Sequence, residues 1–183
     1  AKDLGGQADG EIVGASSAFD ANKSKNVLTF DGTDDYINFG DIDEMDQVDR
    51  FTYSIWFKRT SDTSSTPTNH GVHNILLAQS SGASNDNLEI GTNGTIVQLY
   101  IDSGSAETDD TVTFDAGLVN NRWYHLAVVY GSELSLFLDG TKLSTWTQYN
   151  GRLESSQTSP ISIGVARPNS SRWGAFTGSL SDA

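Results

Sequence analysis

Cysteine is absent from this 183-residue chain, and so are long apolar runs. The lack of cysteine excludes a disulfide framework and cysteine-ligated zinc. It leaves an extracellular location open, because a chain of this length buries enough core to be stable without disulfides. No run of about 18 apolar residues is present, so the sequence predicts no membrane insertion. The chain begins with Ala1 and shows no signal peptide, so we expect a processed protein or part of a longer one.

Positive charge is also scarce. Lysine and arginine total 11 residues, aspartate and glutamate total 24, and the formal net charge is −13. A chain this acidic should repel nucleic acid and anionic membranes, so neither is an expected partner. The charge suits a secreted protein, a protein of a cell surface or virion surface, or one that binds cations. We expect solubility to be its main effect.

Strand-like alternation runs through most of the sequence. In one run, four apolar residues recur at every second position: Phe51, Tyr53, Ile55 and Phe57. Asp139-Gly140 and Asn93-Gly94 each separate two such runs, which is typical of hairpin turns. About a dozen short strands with regular turns predict an all-β fold of two antiparallel sheets, a jelly-roll sandwich. We expect one domain over residues 1–183, with Trp56 and Trp123 in its core.

Four blocks of the sequence match one family in order. They are Leu28–Tyr36, Trp123–Tyr130, Leu136–Gly140 and Phe176–Asp182. Together they resemble the laminin-G-like, concanavalin-A-like lectin/glucanase superfamily, over about residues 10–183. The last block resembles the F-x-G-x-[IL]-x-[DE] start of the closing strand of that jelly roll. In the family this strand runs on, so we expect the polypeptide to continue past Ala183 or another chain to supply the strand by β-augmentation.

The resemblance also implies a structural calcium ion. The family often holds Ca²⁺ where the start of the domain meets the closing strand, and Ca²⁺ takes 6–8 hard oxygen ligands. Asp182 matches the carboxylate of the closing block, while Asp31 and Gly32 lie in the first block. We therefore expect calcium bound by Asp182, with Asp31 or backbone oxygens beside it. The alternative is that Asp31 and Asp35 only shape an Asp-Gly turn.

Three carboxylates before the first long strand are spaced like those of some glycoside hydrolases. Enzymes of the wider superfamily carry E-x-D-x-x-E on a strand, where two carboxylates flank the scissile bond. Glu44, Asp46 and Asp49 have a similar spacing, but the last carboxylate is one methylene shorter and the segment reads as a loop. We predict a solvated acidic loop there and no catalysis.

Aromatic and basic residues gather late in the chain and form the candidate ligand-binding set. They are Trp146, Tyr149, Arg152, Arg167, Asn169, Arg172 and Trp173. Exposed rings stack on sugar faces, and arginine and asparagine hydrogen-bond to hydroxyl groups. The alternative is that these aromatic residues pack beneath loops. His70 and His73 share a spacing that binds metal on a helix, but here they read as solvated loop residues.

These observations predict a non-catalytic binding or adhesion module that recognises a glycan or a surface protein. It would be carried on a cell-surface, secreted or virion protein. The alternative is a structural decoration or fibre protein of a viral particle that binds neighbouring subunits. A third reading is a glycoside hydrolase or its appended carbohydrate-binding module. Fold alone does not separate these functions.

Overall fold

The protein consists of two antiparallel sheets of seven strands each. The structure is a computed structural model that describes residues 9–82, 85–103, 111–153 and 158–182. Sheet A contains, in spatial order, β1 (Glu11–Val13), β4 (Tyr36–Gly40), β13 (Ile161–Ile163), β6 (Leu77–Gly82), β7 (Asn85–Asn93), β8 (Ile96–Ile101) and β9 (Thr111–Asp115). Sheet B contains β12 (Thr141–Trp146), β11 (Leu134–Leu138), β10 (Tyr124–Tyr130), β5 (Phe51–Arg59), β14 (Thr177–Ser181), β3 (Lys25–Asp31) and β2 (Ser16–Asp20). A single 3-10 turn, Asp43–Met45, occurs in the described part. The predicted all-β two-sheet sandwich is confirmed.

The core lies between the sheets, and β5 shows how the sequence builds it. Ile55 and Phe57 are completely buried, and Phe51 and Tyr53 pack against the same core, while Thr52 is exposed. Successive side chains of a strand point to opposite faces, so the period of two in the sequence sets this register. The predicted orientation of β5 is confirmed.

The prediction that Trp56 and Trp123 lie in the core is wrong. Trp56 follows Ile55 and therefore points out of sheet B, where the Nζ of Lys23 lies 2.9 Å from its ring centroid. Its ring also lies 5.0 Å from that of His125 on β10. Trp123 is half-buried just before β10, with the Nζ of Lys58 5.1 Å from its ring centroid. Both indoles cover the outer surface of sheet B, because strand parity outweighs the usual preference of tryptophan for the interior.

The predicted hairpin turns are present. Asp139 and Gly140 both have positive φ, 48° and 79°, and join β11 to β12. This conformation matches the twist of the flanking strands and explains the Asp-Gly pair. The second turn lies one residue later than predicted: Asn93 is the last residue of β7 and pairs with Ile96, so Gly94, with φ 55°, and Thr95 join β7 to β8.

The closing block occupies a central position in sheet B. β14 pairs with β3 through Leu28–Asp31 and with β5 through Trp56–Arg59. Gly178 has φ 144°, and a Cβ there would overlap the Lys58 carbonyl oxygen. The glycine of the block is therefore required for β14 to lie against β5. In the described part of the chain, no helix has the length and hydropathy needed to cross a membrane.

Candidate functional site

Two loops lie over the outer face of sheet A. They are the β5–β6 loop (residues 60–76) and the β13–β14 loop (residues 164–176). The Gly174 N–H donates to the Thr66 carbonyl at 2.7 Å, and the Ile75 N–H donates to the Gly174 carbonyl at 2.7 Å. A second small core lies beneath them, formed by Val72, Ile75, Ala78, Tyr100 and Ala166. The loops are thus joined to each other and to the sheet.

A buried carboxylate on β7 anchors the first loop. Glu89 is completely buried, and its Oε2 accepts a hydrogen bond from Thr68 Oγ1 at 2.5 Å. The same oxygen lies 3.4 Å from His70 Nδ1. Within the described residues, Oε1 has no hydrogen-bond partner. The His70 ring stacks on Tyr100 with centroids 3.4 Å apart and planes 5° apart. Glu89 therefore fixes an aromatic stack at the base of the loop.

Further contacts with sheet A immobilise the same loop. Gln98 on β8 donates from Nε2 to the Gly71 carbonyl at 2.9 Å and accepts from the His73 N–H at 3.1 Å. Gly91 on β7 faces the loop, and a Cβ there would overlap the His73 carbonyl oxygen. The absence of a side chain at Gly91 lets the loop backbone pack directly on the sheet.

The second loop carries an arginine stacked on a tryptophan. The Cζ of Arg167 lies 4.1 Å from the Trp173 ring centroid. Ala166 and Trp173 exchange two backbone hydrogen bonds of 2.8 and 3.0 Å, which close the loop at its base. Arg167 is 5% exposed and Trp173 is half-buried. The buried guanidinium, which also donates from Nε to Ser80 Oγ at 3.4 Å, therefore holds the Trp173 ring in place, and the half-buried ring is the part of the pair that reaches solvent.

Two polar residues border this pair. Asn169 is exposed, and its Oδ1 accepts from Asn38 Nδ2 at 3.3 Å. The Nη1 of Arg172 lies 3.9 Å from Asp34 Oδ2 in an exposed ion pair. We call the set His70, Tyr100, Arg167, Asn169, Arg172 and Trp173 the loop surface. Tyr100 and Arg167 are 3% and 5% exposed and support this surface from below, whereas His70, Asn169, Arg172 and Trp173 are the members that reach solvent.

Four of the seven predicted ligand-binding residues lie on the β13–β14 loop, and the other three lie elsewhere in the fold. Tyr149 is 2% exposed within the main core, and Trp146 packs against that core at the end of the edge strand β12. Arg152 is exposed in another loop, where it adds to the lowering of the Asp49 pKa that Arg50 mainly causes. The prediction of one surface is therefore wrong for Trp146, Tyr149 and Arg152. The two aromatic residues pack beneath loops, where their rings bury more apolar area.

Sequence reasoning missed Glu89 and Tyr100 and treated His70 as a solvated residue. Glu89 stands between Leu88 and Ile90, so the period of two alone places it on the outer face of sheet A. That pattern could have identified it as a face residue. Nothing in the local sequence shows that a loop from residues 60–76 folds over it.

The predicted calcium ligands do not come together. β14 places Thr177 opposite Asp31, and Asp182 follows the other end of the strand, about 17 Å away at the usual rise per residue. Asp182 forms an ion pair with Lys25, which lowers its pKa. Gly32 has φ 82° and shapes the turn after β3. A shared site for Asp182 and Asp31 is therefore wrong.

A different carboxylate cluster forms at that turn. Asp31, Asp34 and Asp35 each offer an oxygen, and these oxygens lie within 4.8 Å of one another. Asp35 Oδ2 accepts from the Asp31 N–H at 2.8 Å. Burial, followed by repulsion from Asp31 and Asp34, raises the pKa of Asp35. Three hard oxygen donors whose charges repel one another fit the needs of a calcium ion.

The acidic segment before β5 is a loop, as predicted. It contains the 3-10 turn Asp43–Met45, and Asp46 Oδ1 accepts from Gln79 Nε2 at 3.4 Å. Burial, with the charges of Asp41 and Asp43, raises the pKa of Asp46. Asp49 is exposed and pairs with its neighbour Arg50. The segment is not on a strand, where the carboxylates of the superfamily's enzymes lie.

Three solved structures show the same fold at low sequence identity. The binding domain of Paraclostridial Mosquitocidal Protein 1 has a TM-score of 0.67 and 13% identity over 98% of this chain. Domain 4 of AbnA, an extracellular arabinanase from Geobacillus stearothermophilus, in complex with arabinotriose, has a TM-score of 0.64 and 15% identity over 97% of this chain and 82% of its own. The CBM40 domain of the Ruminococcus gnavus IT-sialidase, bound to α2,3-sialyllactose, has a TM-score of 0.61 and 15% identity over 94% of this chain and 85% of its own.

The chain spans 43% of the mosquitocidal-protein binding domain that it matches. No curated protein matches it in sequence. A family model described as the concanavalin A-like lectin/glucanases superfamily matches residues 31–183, which covers most of the chain and agrees with the jelly-roll sandwich. The chain therefore belongs to the concanavalin A-like lectin/glucanase superfamily.

Proposed function

We propose that this protein is a non-catalytic binding module that recognises a glycan through the loop surface. The observation that carries this proposal is the Arg167–Trp173 stack, which is held by a backbone bridge beside the His70–Tyr100 stack. Rigid aromatic faces stack on sugar rings with little loss of conformational entropy, and fixed donors orient the hydroxyl groups. Two structural neighbours are solved with bound oligosaccharides, which supports this class of ligand.

The charge of the loop surface suggests which glycans to test first. Arg172 presents an exposed guanidinium in an acidic protein, whereas Arg167 is buried and supports Trp173. Glu89 lies beneath the surface and is completely buried. A planar guanidinium binds a carboxylate or several hydroxyl groups through parallel hydrogen bonds. α2,3-Sialyllactose, the ligand of the sialidase domain, and arabinotriose, the ligand of the arabinanase domain, are the first two probes.

Binding and its location on the molecule are tested together. The protein is screened on a glycan array, and its hits are titrated by calorimetry against Trp173→Ala and the matched control Arg152→Ala. We expect Trp173→Ala to weaken binding at least tenfold, about 1.4 kcal/mol, because it removes the stacking face. Arg152→Ala should bind as the parent does, because Arg152 lies outside the loop surface. Equal binding by both variants would contradict the assignment, and an array without hits would contradict glycan recognition.

Catalysis is not part of the proposal. Glycoside hydrolysis commonly uses two carboxyl groups about 5–10 Å apart. Glu89, the carboxylate that meets the β5–β6 loop from β7, has both oxygens buried, and Asp34 is paired with Arg172. A buried carboxylate that anchors a loop is not positioned to meet a glycosidic bond.

We propose a structural calcium ion at Asp31, Asp34 and Asp35 rather than at Asp182. The cluster lies on the turn after β3, and Asp34 is also the partner of Arg172 in the loop surface. Burial, with repulsion from Asp31 and Asp34, raises the pKa of Asp35, and a bound calcium ion would favour its ionised form. We also propose an extracellular, cell-surface or virion-surface location, which the net charge of −13 suits.

A structural role in a viral particle is the second candidate, and one residue favours it. Phe19 is 69% exposed on β2, which is an edge strand of sheet B. An exposed aromatic residue beside an unpaired edge is a possible contact for a neighbouring subunit. Sedimentation analysis of the parent and Phe19→Ser tests this. Assembly that Phe19→Ser abolishes supports the role, and a parent that stays monomeric opposes it.

A further inference from the structure

The sequence contains two asparagine-glycine pairs, and the structure places them in different surroundings. They are Asn93-Gly94 and Asn150-Gly151. Asparagine is a chemically labile residue, because the backbone nitrogen of the next residue can attack its side-chain amide. A glycine in the next position favours this attack, because it has no side chain to hinder ring closure. The attack also needs a backbone N–H that is not hydrogen-bonded and a peptide that can rotate.

The Asn93-Gly94 pair meets neither of these needs. Asn93 is the last residue of β7 and pairs with Ile96 on β8. The Gly94 N–H donates to the Asp62 carbonyl at 3.0 Å, and the Gly94 carbonyl accepts from Nη2 of the completely buried Arg59. Rotation of this peptide would break both hydrogen bonds and the end of the hairpin. The structure therefore protects Asn93.

The Asn150-Gly151 pair lies in the loop between β12 and β13, and both of its residues are exposed. Among the described residues, no group accepts a hydrogen bond from the Gly151 N–H. The Asn150 side chain makes one contact, in which Nδ2 donates to the Thr147 carbonyl at 2.7 Å in solvent. Exposed backbone of this kind moves at little cost in free energy. The peptide that must rotate is therefore free to do so.

We propose that Asn150 is a site of spontaneous deamidation. The Gly151 nitrogen loses its proton to solvent base and forms a bond to Asn150 Cγ, the Cγ–Nδ2 bond breaks, and ammonia leaves. Water then opens the five-membered imide at either carbonyl carbon, and the products are aspartate and isoaspartate. Water is the one co-reactant, and nothing is oxidised or reduced. This inference is independent of glycan binding.

The position of Asn150 gives the reaction a structural consequence. Tyr149 and Leu153, on either side of the pair, are 2% and 1% exposed in the main core. The Leu153 N–H also donates to the Val48 carbonyl at 3.0 Å. Isoaspartate adds one methylene to the main chain between these two buried anchors, and both products add a negative charge. The modification should therefore loosen the loop and lower the melting temperature.

Incubation of the purified 183-residue protein at mildly alkaline pH tests the proposal. Tryptic peptides are then analysed by mass spectrometry, and isoaspartate is detected by enzymatic methylation. We expect Asn150 to be converted at least about tenfold faster than Asn93, because reaction at Asn93 must wait for the hairpin to open. Asn150→Gln should abolish the product in the peptide of residues 143–152, and the matched variant Asn93→Gln should leave it unchanged.

The same incubation in urea separates the effect of the fold from that of the sequence. Without the fold, Asn93 and Asn150 should be converted at similar rates. Equal rates in the folded protein would overturn the proposal, and so would a folded protein in which Asn150 is converted no faster than Asn93. An incubated parent that melts at the same temperature as Asn150→Gln, incubated beside it, would overturn the loosening of the loop.

Discussion

The outer faces of the two sheets differ in how they use their polar residues. On sheet A, Glu89 and Gln98 are buried and form hydrogen bonds to a loop that lies over them. On sheet B, Trp56 is half-buried with Lys23 above its ring, and Lys25 pairs with Asp182 in solvent. The same alternation of apolar and polar residues thus produces a loop-anchoring face on one sheet and a solvated face on the other.

This difference indicates where binding specificity resides. Polar groups that are buried and hydrogen-bonded hold a single loop conformation, because breaking their contacts leaves them unsatisfied away from water. Exposed ion pairs hold side chains only weakly. The loop surface on sheet A is therefore preorganised, and substitutions on the two faces should differ in their effects.

The largest effect is expected for the inner face, which both sheets share. Ile55→Ala should lower the free energy of unfolding by about 2–5 kcal/mol, because it removes a completely buried side chain and leaves a cavity. Thr52→Ala on the exposed side of the same strand should change it by less than about 0.5 kcal/mol. Urea denaturation measures both. Equal effects would mean that the register of β5 is wrong.

The second effect contrasts the two outer faces. Glu89→Ala should cost about 2–3 kcal/mol, because Thr68 loses its acceptor and the loop over sheet A loses its anchor. Glycan affinity should fall with it, since His70 is no longer held against Tyr100. Denaturation and titration of the same sample measure both quantities. A Glu89→Ala protein with parental stability and affinity would show that the loop is held by other contacts.

The third effect concerns calcium. Saturation at a hundredfold excess over Kd should add about 2.7 kcal/mol to the free energy of unfolding. Millimolar Ca²⁺ should therefore raise the melting temperature above that in EDTA, and Asp35→Asn should reduce the increase. Asp182→Asn should retain it, because Asp182 lies outside the cluster. Identical melting curves in calcium and EDTA would oppose the site.

The pH dependence of this third effect follows from the sign of the shift. The pKa of Asp35 is raised in the folded state, so without calcium its ionisation costs stability as the pH rises through that pKa. Calcium binds the ionised form, and its stabilisation should therefore fade as the pH falls through the same range. Melting curves between pH 3 and 7, about the range where carboxylates titrate, measure the crossover.

The smallest effect is expected for Lys25→Gln on sheet B. The ion pair with Asp182 is half-exposed on both sides, so its loss should cost about 0–1 kcal/mol. Lys25 lowers the pKa of Asp182, so any contribution is present above the ordinary carboxylate pKa and is lost as the pH falls through the lowered value. If Lys25→Gln lowered the free energy of unfolding as much as Glu89→Ala, the outer faces of the two sheets would not differ in the way described.

The sequence predicted the features that depend on neighbouring residues, namely the facing of side chains along a strand and the positions of turns. The period of two along β5 placed Ile55 and Phe57 in the core, and Asp139-Gly140 identified a hairpin. The same rule places Trp56 on the outer face, against the general tendency of tryptophan to be buried. The sandwich itself followed from many short strands and from motifs that occur in a fixed order.

The candidate site depended on contacts between distant segments, which local rules do not show. Tyr149 and Trp173 are both aromatic residues in loops late in the sequence, but Tyr149 lies in the core and Trp173 lies in the loop surface. Their positions depend on the paths that the chain follows after β12 and β13. Asp182 was assigned to calcium from its place in a motif, but the register of β14 carries it about a strand length from Asp31.

The position of β14 has a consequence for how the chain folds. It lies between β3 and β5, so Leu180 pairs with Leu28, 152 residues earlier in the sequence. The central part of sheet B therefore closes only after residues 177–181 have been synthesised, and contacts of such long sequence separation form slowly. Until then the facing edges of β3 and β5 stay open to wrong strands. Folding speed, and the dependence of a nascent chain on protection from aggregation, are set by this single insertion step.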